Sequence, residues 1–191
     1  MSKNNNNPSF LQKTFQHLKT IHEHRSLVRK FCFQCGLYKQ GLTHDLSKYS
    51  FAELLPSIHY YQGYRSPYTK EKELHGYSLG WLHHKGCNKH HWEYWWDKID
   101  GKWQAIKMPQ NYVVESICDR IAACNVYQKE QYTQSSALIY YLNSHDEQNL
   151  HPQTANLFER ILRYIEKYGE DSTFKRIKDL LQQKKDLYEV F

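Results

Sequence analysis

The stretch PQNYVVESICDRIAACNVYQ, residues 109–128, repeats apolar side chains at the three- and four-residue steps of an α-helix. Pro109 suits the first turn of a helix, because a residue there makes no intrahelical hydrogen bond through its N–H group. The apolar positions are Val113, Val114, Ile117, Ile121 and Cys124. The stretch therefore predicts a helix that turns one apolar face toward a core made by other elements.

Helical spacing also recurs N-terminal to this stretch. A helix is predicted to begin at Pro8, with Asn7 as its cap, and to stop at Gly36. Its apolar stripe drifts near residues 19–22, which predicts a break there. These features indicate a long N-terminal helical segment in two pieces.

The middle of the chain carries helix starts and turn residues. Ser50 and Glu53 have the spacing of a capping box, in which each side chain bonds the other residue's backbone N–H group, so a helix is predicted to follow. A loop is predicted over residues 60–68 and a helix over residues 70–84. Gly86 is predicted to interrupt this helix, and a second helical piece is predicted over residues 90–96. Residues 97–108 are predicted to form a loop that contains a small hairpin at 99–107.

The C-terminal part is predicted to form two helices, from Pro152 to Gly169 and over residues 173–190. No segment shows sustained period-two alternation, so a large sheet is not expected. We predict an all-α fold with a single domain, residues 1–191. Its core would span about residues 9–130, and supporting helices over about 136–191 would form a C-terminal helical hairpin.

Composition excludes several classes of protein. The chain has 191 residues, 40% of them hydrophobic, so it can bury a core and does not resemble a disordered segment. No apolar run approaches the ~20 residues that span a bilayer, and no signal-peptide pattern opens the sequence. Five cysteines fit no closed set of disulfides. We therefore expect a cytoplasmic protein with reduced thiols and no membrane partner.

The formal net charge is +6, from 26 Lys and Arg against 20 Asp and Glu. The basic residues are scattered, without the basic stripe and interleaved aromatic residues that mark a nucleic-acid groove, so nucleic acid is not an expected partner. The charge permits an anionic small molecule, and a homodimer is compatible with the sequence. Twelve histidines are the unusual feature, since neutral imidazole is the commonest metal ligand.

His24 and the pair His44-Asp45 are the first candidate ligands. His24 shares a helical face with apolar residues, where a histidine is either a ligand or a hydrogen-bonded core residue. His44 and Asp45 stand at the start of a predicted turn and could reach one ion together, or Asp45 could simply favour the positive end of a helix. Lys48 follows on the same face and could pair with Asp45 or bind a phosphate.

Glu115 and Asp119 lie on one face of the helix over residues 109–128. Two carboxylates at this spacing repel each other, and a shared cation would remove the repulsion. Arg120 offers the alternative of a solvated, neutralised patch. The sequence leaves both interpretations open.

The densest histidine cluster is His83, His84, His90 and His91, with tryptophans on either side. On a continuous helix, His84 and His91 would share one face, and His83 and His90 another, so that each face would hold a pair of ligands. Some of these histidines could instead be surface residues. Cys32 and Cys35 form a CxxC without a second pair, so these two and Cys87, Cys118 and Cys124 are predicted to be buried apolar residues. The histidines expected to be incidental are His17, His22, His59, His75, His145 and His151.

An ordered series of histidines and aspartates on predicted helices resembles the HD-domain superfamily of metal-dependent phosphohydrolases. The stretch His44-Asp45-Leu46-Ser47-Lys48 resembles its HDxxK signature, and Cys118-Asp119-Arg120-Ile121 resembles its closing aspartate helix. More narrowly, HDLSK, the NKHHWEYW of residues 88–95 and the ESICD of residues 115–119 are similar to an uncharacterised HD-like family. The resemblance covers residues 19–128 and implies an HD-domain-like helical bundle.

The resemblance also implies the chemistry. It implies one or two divalent transition metal ions, Mn, Fe, Co, Ni or Zn, with Asp45 between them. The implied ligands of one ion are His24, His44, Asp45 and Asp119. The other ion would be held by His84 together with His91 or His90, and Glu115 would be an orienting residue or a further ligand. Asp45, Lys48 and Arg120 would act on a small phosphorylated substrate, a nucleotide or other phosphoester. Two alternatives remain: a di-iron redox enzyme and a non-catalytic metal-binding protein.

Overall fold

A computed structural model describes residues 9–191 of the protein. Over these residues the chain is 74% helical, with ten α-helices and one small antiparallel sheet of two strands. The all-α prediction is confirmed. The elements are α1 (Phe10–Gln34), α2 (Tyr38–Thr43), α3 (Phe51–Tyr60), α4 (Pro67–His75), α5 (Leu79–Cys87), β1 (Trp96–Ile99), β2 (Lys102–Ala105), α6 (Gln110–Gln128), α7 (Ser136–Ser144), α8 (Pro152–Tyr168), α9 (Glu170–Gln182) and α10 (Leu187–Val190), with short 3-10 segments at Leu46–Tyr49, Trp92–Trp95, Lys129–Gln131 and Asp146–Gln148.

Helix α6 is the central element and packs against α1, α7 and α8. The apolar positions predicted for it are all buried, and their burial supplies most of the driving force for packing here. Because the polar residues Glu115 and Asp119 lie on the same helix, α6 also brings carboxylates to the edge of the core.

The N-terminal helix α1 runs without interruption from Phe10 to Gln34, so the predicted break near residues 19–22 is wrong. The stripe drifts because Leu11 and Phe15 are exposed, while the buried face includes His17 and His24. Ser9 caps the helix through a reciprocal capping box with Gln12. The predicted cap at Asn7 lies outside the described residues.

The segment after α3 differs most from the prediction. Helix α3 continues to Tyr60, and the expected helix over 70–84 is two helices, α4 and α5, separated at Gly76, whose φ of +80° is the left-handed conformation that glycine adopts readily. Helix α5 passes through Gly86 to Cys87, so the predicted interruption is wrong. Residues 90–96 form no α-helix but a turn and a 3-10 segment.

The predicted hairpin is present but begins earlier than residue 99. Strands β1 and β2 pair antiparallel from Trp96 opposite Ala105 to Ile99 opposite Lys102. Its turn contains Asp100 and Gly101, both at positive φ. The hairpin leads the chain away from the histidine cluster and returns it to the start of α6.

The C-terminal helices form part of the core, because buried side chains of α7, α8, α9 and α10 pack in the same cluster as those of α1 and α6. Helix α8 spans the predicted residues and stops at Gly169, whereas the expected helix over 173–190 is split into α9 and α10 around Lys184, which has a φ of +56°. Helix α8 packs on α6, and α9 packs on α1, where the rings of Phe174 and Phe31 are 5.5 Å apart. Within residues 9–191, none of the helices is long and apolar enough to cross a bilayer.

Candidate metal centre

Asp45 stands in the short connection between α2 and the 3-10 segment Leu46–Tyr49. Its backbone is left-handed, with a φ of +53°, a conformation that aspartate tolerates better than most non-glycine residues. Only 1% of the residue is exposed. The turn therefore holds a carboxylate inside the protein, with its two oxygens facing different groups of side chains.

The first group, cluster A, consists of His24, His44, Asp45 and Asp119, from α1, the end of α2, the connection and α6. His44 Nε2 lies 3.5 Å from Asp45 Oδ2 and 3.5 Å from Asp119 Oδ1. His24 Nε2 lies 2.9 Å from Asp119 Oδ1 and 3.9 Å from Asp45 Oδ2. Four ligand atoms thus surround one point beside Asp45 Oδ2.

The second group, cluster B, consists of Asp45, His84, His90 and His91. Asp45 Oδ1 lies 3.4 Å from His84 Nε2 and 3.3 Å from His90 Nε2. The ring of His91 lies tilted beside those of His84 and His90, at centroid distances of 4.8 and 4.2 Å. The turn after α5 brings these rings together, so the expectation that they share faces of a continuous helix is wrong.

The donor set fits transition metal ions. Two ligands bonded to one ion at about 2.1 Å lie roughly 3.0–3.4 Å apart in octahedral or tetrahedral geometry, which is close to the separations within both clusters. Several ligand atoms of the two clusters are buried without a properly aligned hydrogen bond, and Asp45 Oδ2 has only its ion pair with Lys48: the others are His24 Nε2, His44 Nε2, Asp45 Oδ1, His90 Nε2 and His91 Nε2. Since buried polar atoms almost always have a partner, atoms that converge without one indicate a cation site.

Glu115 orients one histidine of each cluster. Its Oε1 lies 3.0 Å from His44 Nδ1 and 3.1 Å from His90 Nδ1. With a proton on each Nδ1, both rings donate to this carboxylate and keep the Nε2 lone pair for an ion. Glu115 thus lies behind these rings, in a position to orient them, and its carboxylate also forms with His44 and His90 a third group whose ligand atoms lie within 4.8 Å of one another.

Glu53 orients the ring of His84 in the same way, a role that was not predicted from the sequence. Its Oε2 lies 2.7 Å from His84 Nδ1, and its Oε1 lies 2.7 Å from His83 Nδ1. Ser50 is the N-cap of α3 but makes no side-chain capping bond, so the predicted capping box is wrong. Glu53 turns inward because the buried ring of His84 supplies a donor there; the signal in the sequence was a glutamate inside an apolar run.

Electrostatics favour a cation at this place. Burial raises the pKa of Asp45, but His44, Lys48 and His84 outweigh it and hold that pKa well below its usual range. Burial lowers the pKa of His90, yet the adjacent carboxylates of Asp45 and Glu115 raise it to about 10. The carboxylates thus stabilise positive charge among the rings, and a metal ion brings such charge.

Lys48 contacts a residue of the clusters, whereas Arg120 is paired with a residue outside them. Lys48 Nζ lies 2.7 Å from Asp45 Oδ2, the pairing that the sequence allowed. Arg120 points away, with its Nη2 2.9 Å from Asp146 Oδ2 and its guanidinium over the ring of Tyr140 at 4.8 Å. It does not neutralise Asp119 by direct pairing; the basic side chain nearest to Asp119 is the imidazole of His24, with Nε2 2.9 Å from Asp119 Oδ1.

The clusters lie at the bottom of a cavity of about 650 Å³. Lys48 and Arg120 are in its wall together with aromatic rings, among them Trp81, whose centroid is 4.7 Å from that of His91. The ligands that reach the cavity are His24, Asp45, His84, His91 and Asp119. The candidate centre is thus accessible to a small molecule.

Other sequence candidates lie outside the two clusters. His83 contacts Glu53, and 38% of its side chain is exposed. Cys32, Cys35, Cys118 and Cys124 are buried as predicted, but Cys87 is exposed, because it ends α5 at the surface. His17, expected to be incidental, is buried and lines the cavity, since it lies on the inner face of α1.

Comparison with known protein families gives a match over most of the chain. Residues 13–164 match a family of unknown function (DUF5662). The matched span contains every residue of clusters A and B, together with Glu53 and Glu115. No curated protein and no solved structure matches the sequence.

Proposed function

The chain belongs to this family of unknown function, and we propose, from the site itself, that it is a metal-dependent phosphohydrolase acting on a nucleotide or other small phosphoester. The observation that carries the proposal is the position of Asp45. One buried carboxylate offers an oxygen to each of two ligand clusters at the bottom of an open cavity, and Lys48 contacts the same carboxylate.

The ligands determine which ions are suitable. Five imidazoles with two carboxylates favour Mn, Fe, Co, Ni or Zn over Mg, which prefers oxygen ligands. A bound ion of this kind polarises a phosphoryl oxygen and lowers the pKa of a bound water toward neutrality. Cluster A would hold one ion and cluster B a second, with Asp45 common to both.

The residues around the clusters supply binding and orientation. Lys48 carries its charge at the cavity wall, because Asp45 raises its pKa in spite of burial, and from there it would contact phosphoryl oxygens. Arg120 is paired with Asp146 and packs on Tyr140, and from the cavity wall its fixed positive charge would favour an anionic substrate. Aromatic rings such as Trp81 limit water at the ligands and strengthen these interactions.

The order of the ligands along the chain supports the same class. His24, then His44-Asp45, then His84 with His90 and His91, then Asp119 follows the HD-domain pattern, and Lys48 is in the position of the lysine in HDxxK. The helical bundle that carries these residues agrees with that resemblance. The proposal that the protein is an HD-domain-like phosphohydrolase rests on both the order and the geometry.

Metal content and phosphate release test the proposal. Protein purified without chelators should contain one or two transition metal ions per chain by elemental analysis and release phosphate from members of a phosphoester panel. Asp45→Ala should lose the metal and the phosphate release while its helical circular dichroism stays unchanged. The matched control is Asp179→Ala, an exposed aspartate on α9. Unchanged metal content in Asp45→Ala would rule out the centre.

A di-iron redox enzyme is the second candidate function. The observation that favours it is the histidine-rich pair of clusters joined by one carboxylate and flanked by Trp81. Two irons per chain, with an absorption change on reduction and exposure to oxygen, would support it. A colourless protein that contains Zn or Mn would exclude it. Metal-loaded protein that releases no phosphate and shows no redox change would favour the third reading, a non-catalytic metal-binding protein.

A further inference from the structure

His17 is a buried imidazole that the proposed chemistry does not use. Only 5% of the residue is exposed, and neither ring nitrogen has a hydrogen-bond partner among the described residues. Buried polar atoms without a partner are unfavourable and uncommon, so the ring calls for an explanation, and a ligand that supplies the missing partner is one. The ring lines the same cavity as Asp45 and Lys48.

The position of His17 is remote from the metal ligands but in line with them. It precedes His24 by seven residues on the buried face of α1, which places the two about 10 Å apart along the helix axis. Tyr127, eight residues after Asp119 on α6, lines the cavity as well. The cavity therefore extends from the clusters along α1 and α6, much farther than a phosphate group alone requires.

Neighbouring groups fix the ring of His17. Its centroid lies 5.0 Å from that of Tyr61, whose hydroxyl is 2.8 Å from Thr20 Oγ1 and also donates to the Gln16 carbonyl. The imidazole is thus packed against a tethered aromatic ring on one side and lines the cavity. An ordered ring of this kind can select a ligand by direction.

The ring is neutral at physiological pH. Burial and the nearby positive charge of Lys48 lower the pKa of His17 to about 4. A neutral imidazole has one donor and one acceptor, so it suits an uncharged polar group better than an anion. Lys48 and the metal ligands can bind the phosphate, and His17 is left for another part of the molecule.

We propose that His17 is a substrate-recognition residue, which hydrogen-bonds an uncharged polar group in the organic part of a phosphoester whose phosphate lies at Asp45. Hydroxyl, amide and heterocyclic ring groups have the required chemistry. The proposal rests on the proposed function for the position of the phosphate. It makes His17 a determinant of specificity and predicts weaker binding of substrates too short to reach it.

Ligand-induced thermal shifts of the metal-loaded protein test this role. The probes are inorganic phosphate, phenyl phosphate, adenosine and uridine 5′-monophosphates, and glucose 6-phosphate. The variants are His17→Phe, which keeps a ring against Tyr61, and His17→Gln, which keeps a donor and an acceptor. The matched control is His22→Phe, an exposed histidine of the same helix.

We expect His17→Phe to keep its metal, its unliganded melting temperature and its response to inorganic phosphate. Its dissociation constant for the nucleotides or the sugar phosphate should rise about 3- to 10-fold, the effect of one neutral hydrogen bond, and His17→Gln should recover part of the loss. For any probe that is hydrolysed, KM should rise while kcat stays unchanged. His22→Phe should match the wild type.

Three results would overturn the proposal: equal binding by His17→Phe and wild type, no thermal shift of the wild type with any organic phosphate, or a lower unliganded melting temperature in both His17 variants than in His22→Phe. The last result would make His17 a structural residue. If binding depends on His17 but no phosphate is released, the proposed hydrolase activity is refuted and the recognition role of His17 is retained. If phosphate is released but binding does not depend on His17, the recognition role is refuted and the hydrolase activity is retained.

Discussion

At the scale of single residues, Asp45 combines an unfavourable backbone conformation with complete burial of a carboxylate. Its φ of +53° and its 1% exposure both oppose folding unless the surroundings compensate. Lys48 and the imidazoles provide the compensating charge. A residue held in this way is positioned before any ligand arrives, which is a requirement for tight and selective metal binding.

Glu115→Gln should weaken metal binding at both clusters. The variant keeps the size of the side chain but removes the charge that receives the Nδ1–H groups of His44 and His90. Loss of such an orienting residue typically reduces metal affinity 10- to 100-fold. Competition with a coloured chelator measures the affinity, with the exposed Glu166→Gln as control. An affinity equal to that of the wild type would show that Glu115 does not orient the ligands.

Glu53→Gln should affect cluster B selectively. Glu53 contacts His84 and His83, and the closest contacts of cluster A do not include it. If two ions are bound, elemental analysis after dialysis should therefore find about one ion fewer per chain, with the helical circular dichroism unchanged. Equal loss from both clusters, or no loss, would contradict the assignment of Glu53 to cluster B alone.

Residue order predicts part of the site. The pattern of His24, His44, Asp45 and Asp119 is visible in the sequence because each lies at a helical position or within a short motif. Glu53 and His17 are not visible, because a glutamate after a serine also matches a capping box, and a histidine before an apolar stripe also matches a surface residue. Their roles depend on which side chains other elements bring to them, and that is tertiary information.

At the scale of elements, the helices are predicted better than their ends. Helix α6 begins where Pro109 indicates, and α8 begins and ends where Pro152 and Gly169 indicate. The region over residues 67–105 is less predictable, because Gly76 stops one helix while Gly86 does not stop the next. A glycine ends a helix only where the chain takes up a positive φ, and packing decides where that happens.

Helix α8 should carry much of the stability without touching the metal site. Ile161→Ala removes a fully buried side chain from its inner face and should lower the free energy of unfolding by about 2–5 kcal/mol. Denaturant titration measures the change, with Ile139→Ala, a half-exposed residue of α7, as control. The folded variant should bind metal as the wild type does. Loss of metal by the folded variant would mean that α8 also shapes the site.

At the scale of the whole molecule, the metal ligands come from helices and connections that are far apart in sequence. Clusters A and B draw on α1, the end of α2, α5, the turn after it and α6. Binding to the folded state alone should therefore stabilise the entire chain.

Removal of metal should lower the melting temperature. At a free metal concentration one hundred times the dissociation constant, binding contributes about 2.7 kcal/mol. For a domain of this size, that corresponds to roughly 5–10 °C. Thermal denaturation with and without a chelator measures the shift, and Asp45→Ala should show none. A chelator effect of equal size in Asp45→Ala would indicate ion binding elsewhere.

The dispersed origin of the ligands also has a kinetic consequence. Residues 24, 44, 84, 90 and 119 meet only after α1, α5 and α6 have packed, so the ligand set is incomplete in any early folding species. Interactions that form after the transition state change the unfolding rate and leave the folding rate almost untouched. A bound ion should therefore slow unfolding of the native protein without changing the rate of folding. The lifetime of the native state, and with it resistance to proteases, would follow the rate at which the ion dissociates.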